Sequence, residues 1–151
     1  MNGQIDIYTN LLLKLSKKAL ALGELPISAI IVDPVNKKVI SACINQTKKN
    51  PILHAEINVI LKALKLTNSK RLDKFDLYCS LEPCAMCASA ISLSRIRRVY
   101  FCLEDKKSGG FINGPKLIYS KNLHHKPKFY YGFKENIFLD LMKNFFKKKR
   151  N

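Results

Sequence analysis

No run of about 18 apolar residues occurs in the chain, which excludes a membrane-spanning helix. The apolar stretch after Asn10 is interrupted by Lys14, Lys17 and Lys18, and Asp6 precedes it. That is amphipathic spacing and not the core of an export signal. Without such a signal the expected compartment is the cytoplasm. Internal repeats, low-complexity linkers and composition breaks are also missing. The 151 residues therefore read as one domain, 1–151, with a single core. Acidic residues are scarce: 11 Asp and Glu stand against 27 Lys and Arg, a formal net charge of +16. Such an excess points to a polyanionic partner, most directly nucleic acid. Lysine, asparagine and isoleucine are abundant together, however, and an AT-rich coding sequence would produce the same bias.

The cysteine usage argues against a disulfide framework. The five cysteines are odd in number and the chain shows no export signal. Cys43, Cys79 and Cys102 sit among strand-like residues and read as small core side chains. Cys84 and Cys87 differ, because they form Cys-x-x-Cys directly behind Pro83.

What is present is an alternation of periodicities. Residues 6–22 carry Ile7, Leu11, Leu15, Leu20 and Leu22 at helical spacing, with Gly23 as the stop. Residues 27–32 and 38–44 read as strands joined by a short "DPVNK" connection, an antiparallel hairpin. A helix is predicted over 53–66, a strand over 76–81, a helix over 84–94 and a strand over 98–102. A short helix is predicted within 111–120, a strand over 128–132 and a closing amphipathic helix over 135–149. That last helix places Ile137, Phe138, Leu141, Met142, Phe145 and Phe146 on one face. The order αββαβαβαβα implies a three-layer α/β/α arrangement around a five-stranded mixed sheet. The last two strands are expected to run parallel across a helical crossover.

The chemistry concentrates at two strand-to-helix junctions. "LEPCAMC" at 81–87 puts Cys84 and Cys87 on one face of a first turn, where the helix N-terminus favours thiolates. A redox pair is one reading of Cys-x-x-Cys, but nothing around it resembles a thioredoxin domain. A structural zinc would want four protein ligands. The other cysteines are strand-like, and His124 and His125 lie in a basic loop expected to be solvated. His54, in "NPILHAEIN", is the most economical third ligand. One His and two Cys leave a fourth position open, as in a catalytic zinc site. Glu56 lies two residues beyond His54, off its helix face. If the metal sits beyond both helix N-termini, His54 can ligate while Glu56 reaches a bound water.

H-x-E paired with P-C-x-x-C is the signature of zinc-dependent nucleobase deaminases, with the glutamate as proton carrier. Over nearly its whole length the chain resembles bacterial tRNA-specific adenosine deaminases of the cytidine/deoxycytidylate deaminase superfamily. The resemblance rests on "ELPISAIIV" at 24–32, Asn45 with "NPILHAE", "LYCSLEPCAMCASAI" at 77–91, "SRIRRVYF" at 94–101, "EDKKSGG" at 104–110 and "FFKKKR" at 145–150. It implies a cytidine deaminase-like fold and one Zn2+ per chain on His54, Cys84 and Cys87. Glu56 would be the proton shuttle, and Asn45, Ile27 and Asp105 would meet the substrate. Phe145, Phe146, Lys147 and Arg150 match the part of the family that meets tRNA. The implied partner is a tRNA anticodon stem-loop, with no membrane association, and the implied assembly is a homodimer. The implied reaction converts adenosine to inosine at the wobble position. A guanine or cytosine deaminase of the same fold, and a non-catalytic RNA-binding zinc protein, are the alternatives. Ser28, the "NPIL" run at 50–53 and Leu93 depart from the family pattern at places expected to border the base pocket.

Overall fold

In the computed structural model, residues 2–150 are described. Helix α1 (Asn2–Ala21) is followed by β1 (Ser28–Asp33), β2 (Lys38–Ile44), α2 (Ala55–Thr67), β3 (Asp76–Leu81), α3 (Ala85–Leu93), β4 (Arg98–Leu103), β5 (Lys128–Tyr131) and α4 (Glu135–Arg150). The strands form one sheet in the order β2-β1-β3-β4-β5. β1 is antiparallel to both β2 and β3, whereas β3, β4 and β5 run parallel. None of the described helices is long and apolar enough to cross a membrane.

Two apolar layers flank the sheet. On one face Ala29, Ile31, Leu77, Cys79, Val99 and Phe101 pack against Val59 and Ala63 of α2 and Ile91 of α3. On the other, Ile30, Val32, Tyr78 and Tyr100 pack against Tyr8 and Leu12 of α1 and Phe138 and Leu141 of α4. The period-2 alternation of each strand therefore sends successive side chains to different helix layers. Tyr78 and Tyr100 stack face to face at 4.3 Å, and Tyr130 continues the stack at 5.1 Å. Arg97 closes the far end of β3 with a bidentate bond to buried Asp76, at 2.8 and 2.7 Å.

Helix α1 differs from the sequence expectation in which face it buries. In α1, Tyr8, Leu12, Ser16 and Ala19 are buried, whereas Ile7 and Leu22 are exposed. Small side chains at 16 and 19 let the helix sit close to the sheet. There the Ser16 and Ser28 hydroxyls meet at 2.8 Å, and Ser28 also donates to Leu12 O at 2.8 Å. Gly23 does end this helix: at φ 76° it carries the reversal, and Glu24 N bonds back to Ala19 O at 3.0 Å. In α2 the buried face is Ala55, Glu56, Val59, Ile60 and Ala63, and Leu61 is exposed.

One further expectation is met in a shorter form and two are corrected. The stretch 111–120 forms only a single 3₁₀ turn, Leu117–Tyr119, yet β4 and β5 are parallel as expected. His125 is not simply solvated: its Nε2 lies 2.6 Å from Ile96 O and its backbone N–H donates to Ser92 Oγ at 3.0 Å. His124 is exposed, as expected. Cys43 is half-buried, while Cys79 and Cys102 are buried.

Candidate metal centre

β1 lies antiparallel between β2 and β3, so the C-terminal ends of β2 and β3 emerge at the same edge of the sheet. The helices that follow those strands, α2 and α3, therefore begin side by side. Their first residues carry the chemistry. His54 is the N-cap of α2 and Cys84 the N-cap of α3, both in extended backbone, and neither side chain caps its own helix. Most N-caps spend a side-chain oxygen on a first-turn N–H. These two point a ring nitrogen and a sulfur at each other. Cys87 is the third residue inside α3, the position from which a side chain returns to the N-cap in a capping box.

His54 Nδ1 lies 3.6 Å from both Cys84 Sγ and Cys87 Sγ. The ligand atoms of the three residues all fall within 4.8 Å of one another. Zinc bonds of about 2.0 Å to nitrogen and 2.3 Å to sulfur, at tetrahedral angles, set that N···S separation at about 3.5 Å. Both His54 distances therefore match a tetrahedral zinc site. The electrostatics fit as well. Cys84 is held down to about 4, first by the hydrogen bond from Cys87 and then by His54. Cys87 is pushed far up, first by its bond to Cys84 and then by burial. His54 is raised, chiefly by its hydrogen bond to Cys84. Two adjacent thiolates repel, so by themselves the sulfurs share a proton; a dication removes that conflict.

Glu56, the second residue of α2, stands behind this trio with 4% of its surface exposed. Burial raises its carboxyl to about 6. Its Oε1 is buried and has no hydrogen-bond partner. An orphaned buried carboxylate oxygen beside three zinc-type donors is suited to hold a reactant water.

His54, Cys84 and Glu56 line the floor of a cavity of about 690 Å³, with Cys87 buried behind them. Ile27, Asn45 and Asp105 line it, as does Phe146. Asn45 Nδ2 bonds Thr47 Oγ1 at 3.2 Å, and Thr47 in turn donates to Glu24 at 3.1 Å. Asp105 Oδ1 accepts the backbone N–H groups of Lys107 and Ser108, at 3.1 and 3.0 Å. Phe145 is not at the cavity: it is 7% exposed, on the buried side of α4, with Lys149 Nζ 5.2 Å above its ring. Lys147 and Arg150 are exposed beyond the cavity. The phenylalanine pair, placed on one face by sequence, is divided between two. A second stripe, Glu135, Leu139, Met142 and Phe146, faces the cavity. Its spacing of 4, 3 and 4 was legible but lay beside the more hydrophobic core stripe.

The departures from the family pattern fall elsewhere than expected. Ser28 faces α1, Leu93 is 70% exposed, and Ile52 is exposed on the loop before His54. None of them lines the cavity. Sequence reasoning also passed over Glu82, Glu104 and Asn113, which hold the cavity wall; a glutamate beside Pro83-Cys84 was the available signal.

The family model for the cytidine and deoxycytidylate deaminase zinc-binding region matches residues 3–103. The chain belongs to that deaminase family. Membership carries with it zinc-dependent hydrolytic deamination of a nucleobase, free or within a nucleoside, and the His54, Cys84, Cys87 cluster supplies a centre able to hold the metal. The deaminase is 43% identical over 142 residues to the tRNA-specific adenosine deaminase of Rickettsia bellii, covering 92% of this chain and 97% of that one. It is similar to a solved structure from a study of A-to-I editing by tRNA:A34 deaminases, with TM-score 0.85 and 36% identity, covering 90% and 99% of the two chains. A guanine deaminase from Bacillus subtilis is less similar, with TM-score 0.59 and 26% identity over 92% and 89%.

Proposed function

We propose that this deaminase hydrolyses adenosine to inosine at the wobble position of a tRNA anticodon, releasing ammonia. The observation that carries this reading is the shape of the cavity. Its floor holds His54, Cys84 and Glu56, and its wall is built from the Glu104–Ser108 segment and α4, with Lys106, Lys107 and Phe146. A base flipped out of an anticodon loop can enter while its phosphates stay outside beside lysines. The 43% identity to a protein named tRNA-specific adenosine deaminase supports the same substrate.

A zinc ion on His54, Cys84 and Cys87 would supply Lewis acidity and a water with its pKa lowered towards about 7. The chain's own residues do the rest. Glu56 accepts the proton of the attacking water and passes protons to N1 and to the leaving amino nitrogen at C6. Its carboxyl, raised by burial to about 6, suits a group that both takes and gives a proton near neutrality. Asn45, fixed through Thr47 and Glu24, holds the nucleoside. Ile27 packs against the base, and Phe146 offers a stacking face for a flanking base. We also propose a homodimer formed through the α2 and α3 layer, where Leu61 and Leu93 are exposed.

The test is incubation with an unmodified tRNA bearing adenosine at the wobble position, beside free guanine, cytosine and their nucleosides. Inosine formed only in the tRNA is the expected result. Turnover of free bases alone would assign the enzyme to the base-deaminase alternative. Tight tRNA binding without ammonia release would assign a non-catalytic role.

The two phenylalanines separate stability from binding. Phe145→Ala removes a buried ring and should cost about 3 kcal/mol in chemical denaturation, with KM for tRNA little changed. Phe146, 48% exposed, should do the reverse. Phe146→Ala is expected to leave the denaturation midpoint in place and raise KM roughly 5-fold or more, from a stacking contact of about 1–3 kcal/mol.

A further inference from the structure

We infer that Glu82 is a positioning residue that sets the outer wall of the cavity by tying the segment 105–113 to the turn that carries Cys84. The inference deepens the proposed reading, since it takes the cavity to be the substrate site.

Glu82 lies between β3 and Pro83, two residues before Cys84, and is 3% exposed. Its side chain accepts five hydrogen bonds from across the cavity wall. Oε2 takes the backbone N–H groups of Phe111, Ile112 and Asn113, at 3.2, 3.0 and 3.0 Å. Oε1 takes the backbone N–H of Asp105 at 3.1 Å and Asn113 Nδ2 at 2.6 Å. Asn113 Nδ2 also reaches Glu104 Oε1 at 3.0 Å, so one amide group joins two glutamates. Among the described residues the ion pairs are Arg97–Asp76 and Lys134–Asp6, so no cation competes for Glu82.

All five partners are N–H donors, and a carboxylate is the side chain that only accepts. Glutamine of the same length must turn its amide nitrogen either towards three donors or towards two. It therefore forfeits at least two of the bonds. Phe111 anchors the far end of the segment in the core, its buried ring 5.9 Å from Phe101, but 105–108 has no such anchor. Gly110 N donates to Pro83 O at 3.0 Å, and a Cβ on Gly110 would collide with the backbone at Ala85, so the packing there is close and unable to adjust. Residues 105–108, which line the cavity, hang between this contact and the end of β4.

Glu82 borders the cavity beside Cys84, but both its oxygens are engaged by the wall and so act through it. Loosening the wall weakens contacts made equally before and during reaction. Such a change raises KM and leaves kcat in place.

The experiment measures steady-state kinetics on the tRNA, zinc content and amide hydrogen exchange for Glu82→Gln and Asn113→Ala. Glu82→Gln is expected to keep its zinc, to raise KM about 10-fold and to hold kcat within about 2-fold. Exchange should quicken at Asp105 and at Phe111 to Asn113 and stay unchanged in α2. Asn113→Ala, which loses only the bridge to Glu82 and Glu104, should change KM and exchange in the same direction by less; it carries the test if Glu82→Gln does not fold. A fall in kcat at constant KM, loss of zinc, or unchanged exchange in 105–113 would overturn the inference. If the wild-type chain does not deaminate the tRNA, the functional reading fails, and the exchange data still decide whether Glu82 holds the wall.

Discussion

Glu56→Gln should abolish nearly all turnover while the protein keeps its zinc. The expected loss in kcat is about 10²–10⁴-fold, the usual contribution of a positioned acid/base. Glutamine has the same length and nearly the same volume, so the pocket keeps its shape. What disappears is the ability to take a proton from water and return it to the substrate. Glu56 is not among the residues whose donor atoms cluster, so metal retention should not change. The carboxyl is raised to about 6 by burial, which means ionising it inside the fold is costly. Its removal should therefore leave thermal stability equal or higher while activity collapses. Kinetics on the tRNA, metal analysis and a thermal melt on one preparation test all three points. A variant that turned over at a rate near wild type would remove Glu56 from the mechanism.

Cys87→Ala has an equally large expected effect by a different route. Removing its sulfur leaves His54 and Cys84, two ligands held 3.6 Å apart. Two protein ligands do not retain zinc in a site that needs three and an open position. Zinc per chain should fall to near zero after gel filtration, and deamination to background. The two variants thus fail in opposite ways, one loaded and inert, the other empty. Cys87 is buried in the first turn of α3, so the alanine leaves a small void, and the fold should persist by circular dichroism. One zinc per chain bound to Cys87→Ala would contradict the ligand set.

Much of this molecule could be read along the chain. The alternation of strand and helix, the initial hairpin and the stop at Gly23 depend on local periodicity and local turn chemistry. So do the identities at the site. A proline ahead of Cys-x-x-Cys at one strand end, and His-x-Glu at another, are the required donors in positions where helices begin. The sequence by itself also carried the charge imbalance and the absence of a spanning segment.

Other features depend on residues far apart in the chain. That His54 and Cys84 meet at all follows from β1 lying antiparallel between β2 and β3, which brings two helix mouths to one edge. The face each helix buries was set by fit to the sheet. In α1 the small residues Ser16 and Ala19 were buried in place of the larger Ile7 and Leu22. The same competition divided Phe145 from Phe146, since a helix lying between core and cavity has two apolar stripes and its sequence does not say which faces inward. Glu82 shows the limit most clearly. Its place beside Pro83-Cys84 marks it as a residue of the site, but nothing in the chain foretells which donors, 23 to 31 residues away, its carboxylate gathers. Local rules assign residue types to helix mouths and strands; only the packed sheet decides which of those mouths, faces and loops share one cavity.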